Sequence, residues 1–141
     1  MPALTLDQVS VGDQLPGRTI HIERATLVQY AGASLDRNRI HWDEAFAKKV
    51  GLPNVIAHGM YSMGAAIAPV IDWCGDVGRI VSYSTRFTSM VPVDYEDGAD
   101  LAVAGEVSAV DPEAKTATVS LTVTCGDTPV LGKATAVVRL D

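Results

Sequence analysis

Apolar residues change their spacing part-way along the chain, and the change divides it into two unequal parts. In the first, Glu23 to Leu35 carries Ala25, Leu27, Val28, Ala31 and Leu35 at near-helical spacing, and Trp42 to Val50 reads as a short helix stopped by Gly51. A loop containing Pro53 follows. Gly59 to Trp73 is apolar on nearly every face, which predicts a helix enclosed by other elements. Its Gly64, Ala65, Ala66 and Ala68 would let a sheet approach closely. Pro69, costing about 3 kcal/mol inside a helix, predicts a kink.

The second part alternates. Arg79 to Val91, Leu101 to Val110, Thr116 to Cys125 and Val130 to Leu140 are long, rich in β-branched residues and read as strands. Thr116 to Cys125 is the clearest, with Thr116, Thr118, Ser120, Thr122 and Thr124 facing water and Ala117, Val119, Leu121, Val123 and Cys125 facing a core. The separators Glu96-Asp-Gly-Ala, Asp111-Pro-Glu-Ala and Gly126-Asp-Thr-Pro form turns, so consecutive strands should be antiparallel neighbours. Helices followed by an antiparallel sheet make an α+β order, and a curved sheet wrapped around one central apolar helix would cover the apolar faces of both.

Composition narrows the class. With 141 residues, no repeat and no linker, residues 1–141 should form a single domain. A hydrophobic fraction of 48% against 20% charged residues is ordinary for a folded globular chain. The net charge of −6 has no run of like charges, which argues against nucleic-acid or anionic-membrane partners. The apolar stretch from Ala57 to Cys74 is broken by Ser62, Pro69 and Asp72, so no membrane span is expected. Cys74 and Cys125 lack metal-ligand or CxxC spacing and read as small buried hydrophobes. With no signal-peptide pattern before Val11, a cytoplasmic setting is expected.

Candidate chemistry concentrates in Leu35-Asp36-Arg37-Asn38-Arg39-Ile40-His41-Trp42, between the first two helices. It places a carboxylate, an amide and an imidazole in one connection, where functional residues often lie. Five apart, Asp36 and His41 would face different ways on a helix, whereas a loop can fold both toward one point. Spacing leaves a local alternative open: Asp36 capping a helix end, Asn38 supplying a turn, and His41 or Asp43 opening the next helix. His58-Gly59 stands directly before the apolar helix. A helix start offers free N–H groups and partial positive charge, suited to a developing oxyanion. By itself Gly59 could equally be a packing glycine, and His58 a buried hydrogen-bonded histidine.

Tyr30-Ala-Gly-Ala-Ser-Leu-Asp-Arg-Asn-Arg-Ile-His41, followed by Ala57-His-Gly-Met60, resembles the MaoC-like (R)-specific hydratase 2 family over essentially the whole chain. The family motif, an aromatic residue and then Ser-Gly-Asp-x-Asn-Pro-hydrophobic-His, is kept at Ser34, Asp36, Asn38, Ile40 and His41. It is broken at Leu35 and Arg39. Val11-Gly-Asp-Gln-Leu-Pro16, Ile40-His-Trp-Asp43 and Arg86-Phe-Thr88 look most like the B subunit of mycobacterial (3R)-hydroxyacyl-carrier-protein dehydratases.

The resemblance implies a hot-dog fold and a hydro-lyase that moves water across the C2–C3 bond of an acyl thioester. Asp36 and His41 would be catalytic, with Gly59 and Asn38 binding the oxyanion and substrate. It implies acyl carrier protein (ACP) or CoA thioesters in fatty-acid elongation, and a homodimer or a heterodimer with a related hot-dog subunit. No cofactor is expected, nor a metal, since His21, His41 and His58 show no ligand spacing. Met60, Met63, Ile67, Trp42, Phe46 and Trp73 are the expected linings of an acyl tunnel, and Arg37, Arg39, Lys48, Lys49, Arg79 and Arg86 the candidate docking cations for an acidic carrier. A degradative enoyl-CoA hydratase, a thioesterase and a non-catalytic acyl-binding subunit are the competing readings.

Overall fold

In the computed structural model, which describes residues 4–140, the elements run β1 (Gln14–Ile22), α1 (Arg24–Ser34), α2 (Glu44–Lys49), α3 (Gly59–Ala66), α4 (Ala68–Cys74), β2 (Ile80–Phe87), β3 (Ala99–Asp111), β4 (Thr116–Cys125) and β5 (Thr128–Arg139). Every neighbouring pair is antiparallel, in the order β1-β3-β4-β5-β2. The alternation in β4 does what the sequence predicts: Ala117, Val119 and Val123 are fully buried while Ser120 and Thr122 face out. Facing residues of β3 and β5, such as Leu101, Val107, Ala136 and Val138, are also fully buried and complete that apolar layer.

Three features differ from the sequence reading. β1 precedes the helices, so the order is not helices first. The alternation of Ile20 and Ile22 with Thr19 and His21 signals it, but Pro16-Gly17 interrupts the pattern where the register shifts between Leu15 and Arg18. Next, β2 pairs with β5 at the far edge, not with its successor β3. Its connection to β3 crosses the molecule and pairs with residues 55–57 on the way, through the Ala57 N–H on the Val91 carbonyl (2.9 Å) and the Val93 N–H on the Val55 carbonyl (2.9 Å). The turn at 94–98 then closes on Gly98, whose φ of +66° and position 2.4 Å from the Ile22 carbonyl, measured from where a Cβ would sit, exclude other residues.

The third difference is in the apolar helix. It divides at Ile67 into α3 and α4 rather than kinking at Pro69, which lies in the first turn of α4, where its missing N–H is no loss. Nor is α3 enclosed: Ser62 and Ala66 are buried, but Met60 is 59% exposed and nothing approaches within 4 Å of a Cβ placed on Gly64. The sheet is approached through α4, which packs on β1 and β3. Cys74 is buried as expected, whereas Cys125 is only half-buried, its thiol pushed up by desolvation and by Asp100.

Candidate active site

The site begins where α1 ends. Leu35 adopts the left-handed conformation (φ 63°, ψ 8°) that usually selects glycine, and its side chain is exposed. With no burial to offset the strain, Leu35→Gly should raise stability by about 1 kcal/mol, read as a higher urea midpoint at unchanged slope.

Beyond Leu35 the chain is stitched by its own side chains. The Asp36 N–H donates to Ser34 Oγ, the Asn38 N–H to Asp36 Oδ1, and the Ile40 N–H to Asn38 Oδ1, each at 3.2 Å. Arg39 starts a one-turn 3-10 segment, Arg39–His41, a first helical position where proline would also fit. Here its guanidinium binds Asp43 Oδ2 (2.7 Å) and lies 4.4 Å over the Phe46 ring. Asp43 in turn caps α2 by accepting the Phe46 N–H (3.0 Å), and that bond together with Arg39 holds its carboxyl below the usual range.

This path brings Asp36 and His41 together. His41 is buried, and its Nδ1 lies 2.6 Å from the Ile56 carbonyl. A carbonyl only accepts, so Nδ1 carries the proton and the Nε2 lone pair faces Asp36 Oδ2, 3.9 Å away. At that separation one water oxygen can lie within hydrogen-bond reach of both. Burial, with a smaller contribution from the neighbouring His58, outweighs the Ile56 carbonyl and Asp36 and lowers the His41 pKa below 6.5. The ring is therefore neutral at pH 7, a proton acceptor at Nε2.

His58 is the buried, hydrogen-bonded histidine that the sequence left open, and it braces the pair. Its ring stacks on His41 (centroids 3.6 Å apart, 20° between planes), Tyr30 meets its edge at 4.7 Å, and its Nε2 lies 3.0 Å from the Asp36 carbonyl. By the same argument, Nε2 donates. Asp36, His41 and His58 offer ligand-type atoms within 4.8 Å of one another. Because His58 Nε2 is already committed to a carbonyl, this donor set suits proton transfer better than a metal ion.

Gly59 is the first residue of α3, and a Cβ on it would lie 3.0 Å from the Phe87 ring, so its small size lets the end of β2 close over the helix start. Beside it opens a cleft of about 340 Å³, with His41, Gly59 and Ser62 among its polar wall and Phe87, Met90, Val130 and Leu131 among its apolar one. Asp36 and Asn38 are not among the lining residues, and Asn38 uses its carbonyl oxygen inside the loop. None of the expected acyl-tunnel residues lines this cleft. Trp42 faces a separate groove with Val28 and Arg37, Trp73 another with Arg18 and Pro69, and Phe46 lies beneath Arg39. The apolar wall comes instead from β2, the segment after it and β5, which the sequence reading marked only as strands.

Residues 8–125 match the family model described as a MaoC like domain. The chain belongs to this family. A solved structure titled MaoC-like dehydratase shares the fold at a TM-score of 0.95 and 39% identity, over 99% of this chain and 43% of its own. The chain is 39% identical over 66 residues to the fatty acid synthase subunit beta of Aspergillus oryzae, covering 44% of this chain and 3% of that protein. It is 37% identical over 76 residues to 3-hydroxyacyl-thioester dehydratase X of Mycobacterium tuberculosis, covering 54% of this chain and 26% of that protein. This MaoC-like chain thus spans only a minor part of the curated relatives it matches. The hot-dog architecture anticipated from the motif is the one observed, a curved antiparallel sheet with the α3–α4 pair on it. Among the described residues, no helix is long and apolar enough to cross a membrane.

Proposed function

We propose that this chain is a (3R)-3-hydroxyacyl-thioester dehydratase and trans-2-enoyl-thioester hydratase, working on carrier-bound acyl groups in type II fatty-acid elongation of the mycolic-acid kind. The observation that carries the proposal is His41, its Nδ1 held by the Ile56 carbonyl and its Nε2 3.9 Å from the Asp36 carboxylate, on the wall of a cleft that also contains the start of α3. In dehydration the pair removes the C2 proton and returns a proton to the departing C3 hydroxyl, which leaves as water. The electrons of the broken C2–H bond become the new double bond, and the charge they place transiently on the thioester oxygen meets the Gly59 N–H. Asn38 acts by shaping the loop that carries Asp36.

The surface supports an acidic carrier and a second subunit. Of the expected docking cations, Arg79 is buried and donates to the Leu4 carbonyl (2.8 Å), Arg39 is paired with Asp43 and Lys48 with Glu44. Arg37, Lys49 and Arg86 remain exposed for an acidic carrier. β2 is an edge strand with Val81 53% and Phe87 54% exposed, and Met60 of α3 is similarly bare. An apolar edge of this kind suits a second hot-dog subunit, identical or related.

The test is hydration of trans-2-enoyl thioesters of graded chain length, on CoA and on a carrier protein, by the chain alone and with its co-purifying partner. Turnover with either carrier supports the reading, and the better carrier decides between elongation and acyl-CoA metabolism. Absence of turnover from a folded chain in every combination would reject it and favour an acyl-binding role. The pH profile is a second check. Because burial lowers the His41 pKa, the acid limb of kcat/KM should have its midpoint below pH 6.5, as Nε2 becomes protonated. A midpoint above pH 6.5 would contradict a His41 base whose pKa burial has lowered.

A further inference from the structure

Ser62 lies one turn beyond Gly59 on α3, on the same side of the helix, and both line the cleft with His41. Its side chain is buried, 2% exposed, and its Oγ has no hydrogen-bond partner among the described residues. A helical serine usually satisfies its hydroxyl on the carbonyl four residues earlier. Here that carbonyl, of His58, takes the Ser62 N–H (3.2 Å), and the hydroxyl makes no bond to it. His58 Nδ1 is also buried without a partner, but His58 is not among the residues lining the cleft, whereas Ser62 is. Buried hydroxyls are rarely left unbonded in a folded protein, and one that borders a binding cleft is most economically satisfied by what binds there.

We propose that Ser62 is a substrate-contacting catalytic residue whose hydroxyl donates to the thioester carbonyl oxygen, as a second donor beside the Gly59 N–H. The assignment rests on the thioester reading above. It gives the cleft a proton-transfer side at His41, with Asp36 3.9 Å behind it, and a charge-holding side at Gly59 and Ser62. A neutral hydroxyl gains most when its acceptor carries developing charge, so the contribution appears chiefly in kcat.

The experiment compares Ser62→Ala and Ser62→Thr with the wild type in hydration of a trans-2-enoyl-CoA. Ser62→Ala should lower kcat by about 10–100-fold, with affinity for the saturated acyl-CoA changed less than about 3-fold, while Ser62→Thr, which keeps the hydroxyl, stays within about 5-fold of wild type. The second readout is the carbonyl stretch of a bound, carbon-13-labelled trans-2-enoyl-CoA in an Asp36→Asn background, where turnover is suppressed. A hydroxyl bonded to that oxygen lowers the frequency, and adding Ser62→Ala should move it back toward the free value. Wild-type kcat in Ser62→Ala, an equal loss in both Ser62 variants, or an unmoved carbonyl band would each overturn the assignment. Those failures occur with an active wild type, which separates them from failure of the dehydratase reading, where the wild type itself is inactive.

Discussion

Asp36→Asn and His41→Asn should each reduce turnover of a trans-2-enoyl thioester by about 10²–10⁴-fold, the usual worth of a positioned acid–base group. Both substitutions are chosen so that the loop survives. Asparagine at 36 keeps the oxygen that accepts the Asn38 N–H (3.2 Å), and position 36 is exposed, so no buried volume is lost. Asparagine at 41 can still donate to the Ile56 carbonyl from the place of Nδ1 but has nothing where Nε2 faces Asp36. Circular dichroism and the thermal midpoint should therefore change far less than kcat. Full turnover in either folded variant would remove the pair from the mechanism.

A second large effect is expected at Gly59, from a substitution that deletes a backbone donor. His58 has φ −62° and ψ 131°, the extended conformation a following proline requires, and Gly59 occupies the first helical position, where proline is tolerated. Gly59→Pro thus removes the N–H without breaking α3. Both Gly59→Ala and Gly59→Pro carry a Cβ into the Phe87 ring, so the alanine variant measures the steric cost alone. Relative to Gly59→Ala, Gly59→Pro should lose a further 10²–10³-fold in kcat, roughly what one oxyanion donor contributes. Equal rates in the two variants would move the oxyanion elsewhere.

Local structure and the loop that carries the candidate residues were legible in the sequence, and long-range geometry was not. The alternation in Thr116 to Cys125 announces β4 because one face meets the core and the other meets water. The 35–42 loop announces itself through residue types, and the structure folds Asp36 and His41 to within 3.9 Å as a loop should. The pairing of β2 with β5 depends on residues some fifty positions apart, such as Tyr83 and Ala136, and the turn-forming residues before β3 carry no information about it. The same limit hid the acyl-side wall. Phe87 meets the helix start and Met90 lines the cleft beside it where the chain after β2 pairs with residues 55–57. The stack of His58 on His41 depends on that pairing too, which fixes the Ile56 carbonyl beneath His41 and the approach to α3. Ser62 could have been noticed as the one hydroxyl in an otherwise apolar stretch aside from Tyr61, yet nothing in its spacing says that it is buried and unbonded.

The bare edge of β2 also bears on how the protein must be made. A strand paired on one side only, with Val81 and Phe87 exposed, offers the N–H and C=O groups of its open edge to any extended chain that meets it, including another copy caught while folding. The supply of whatever covers that edge would then set the yield of usable protein. Were the covering subunit a related chain and not a second copy, expression without it should lead to misassembly, and balanced synthesis of the two would become a condition for activity.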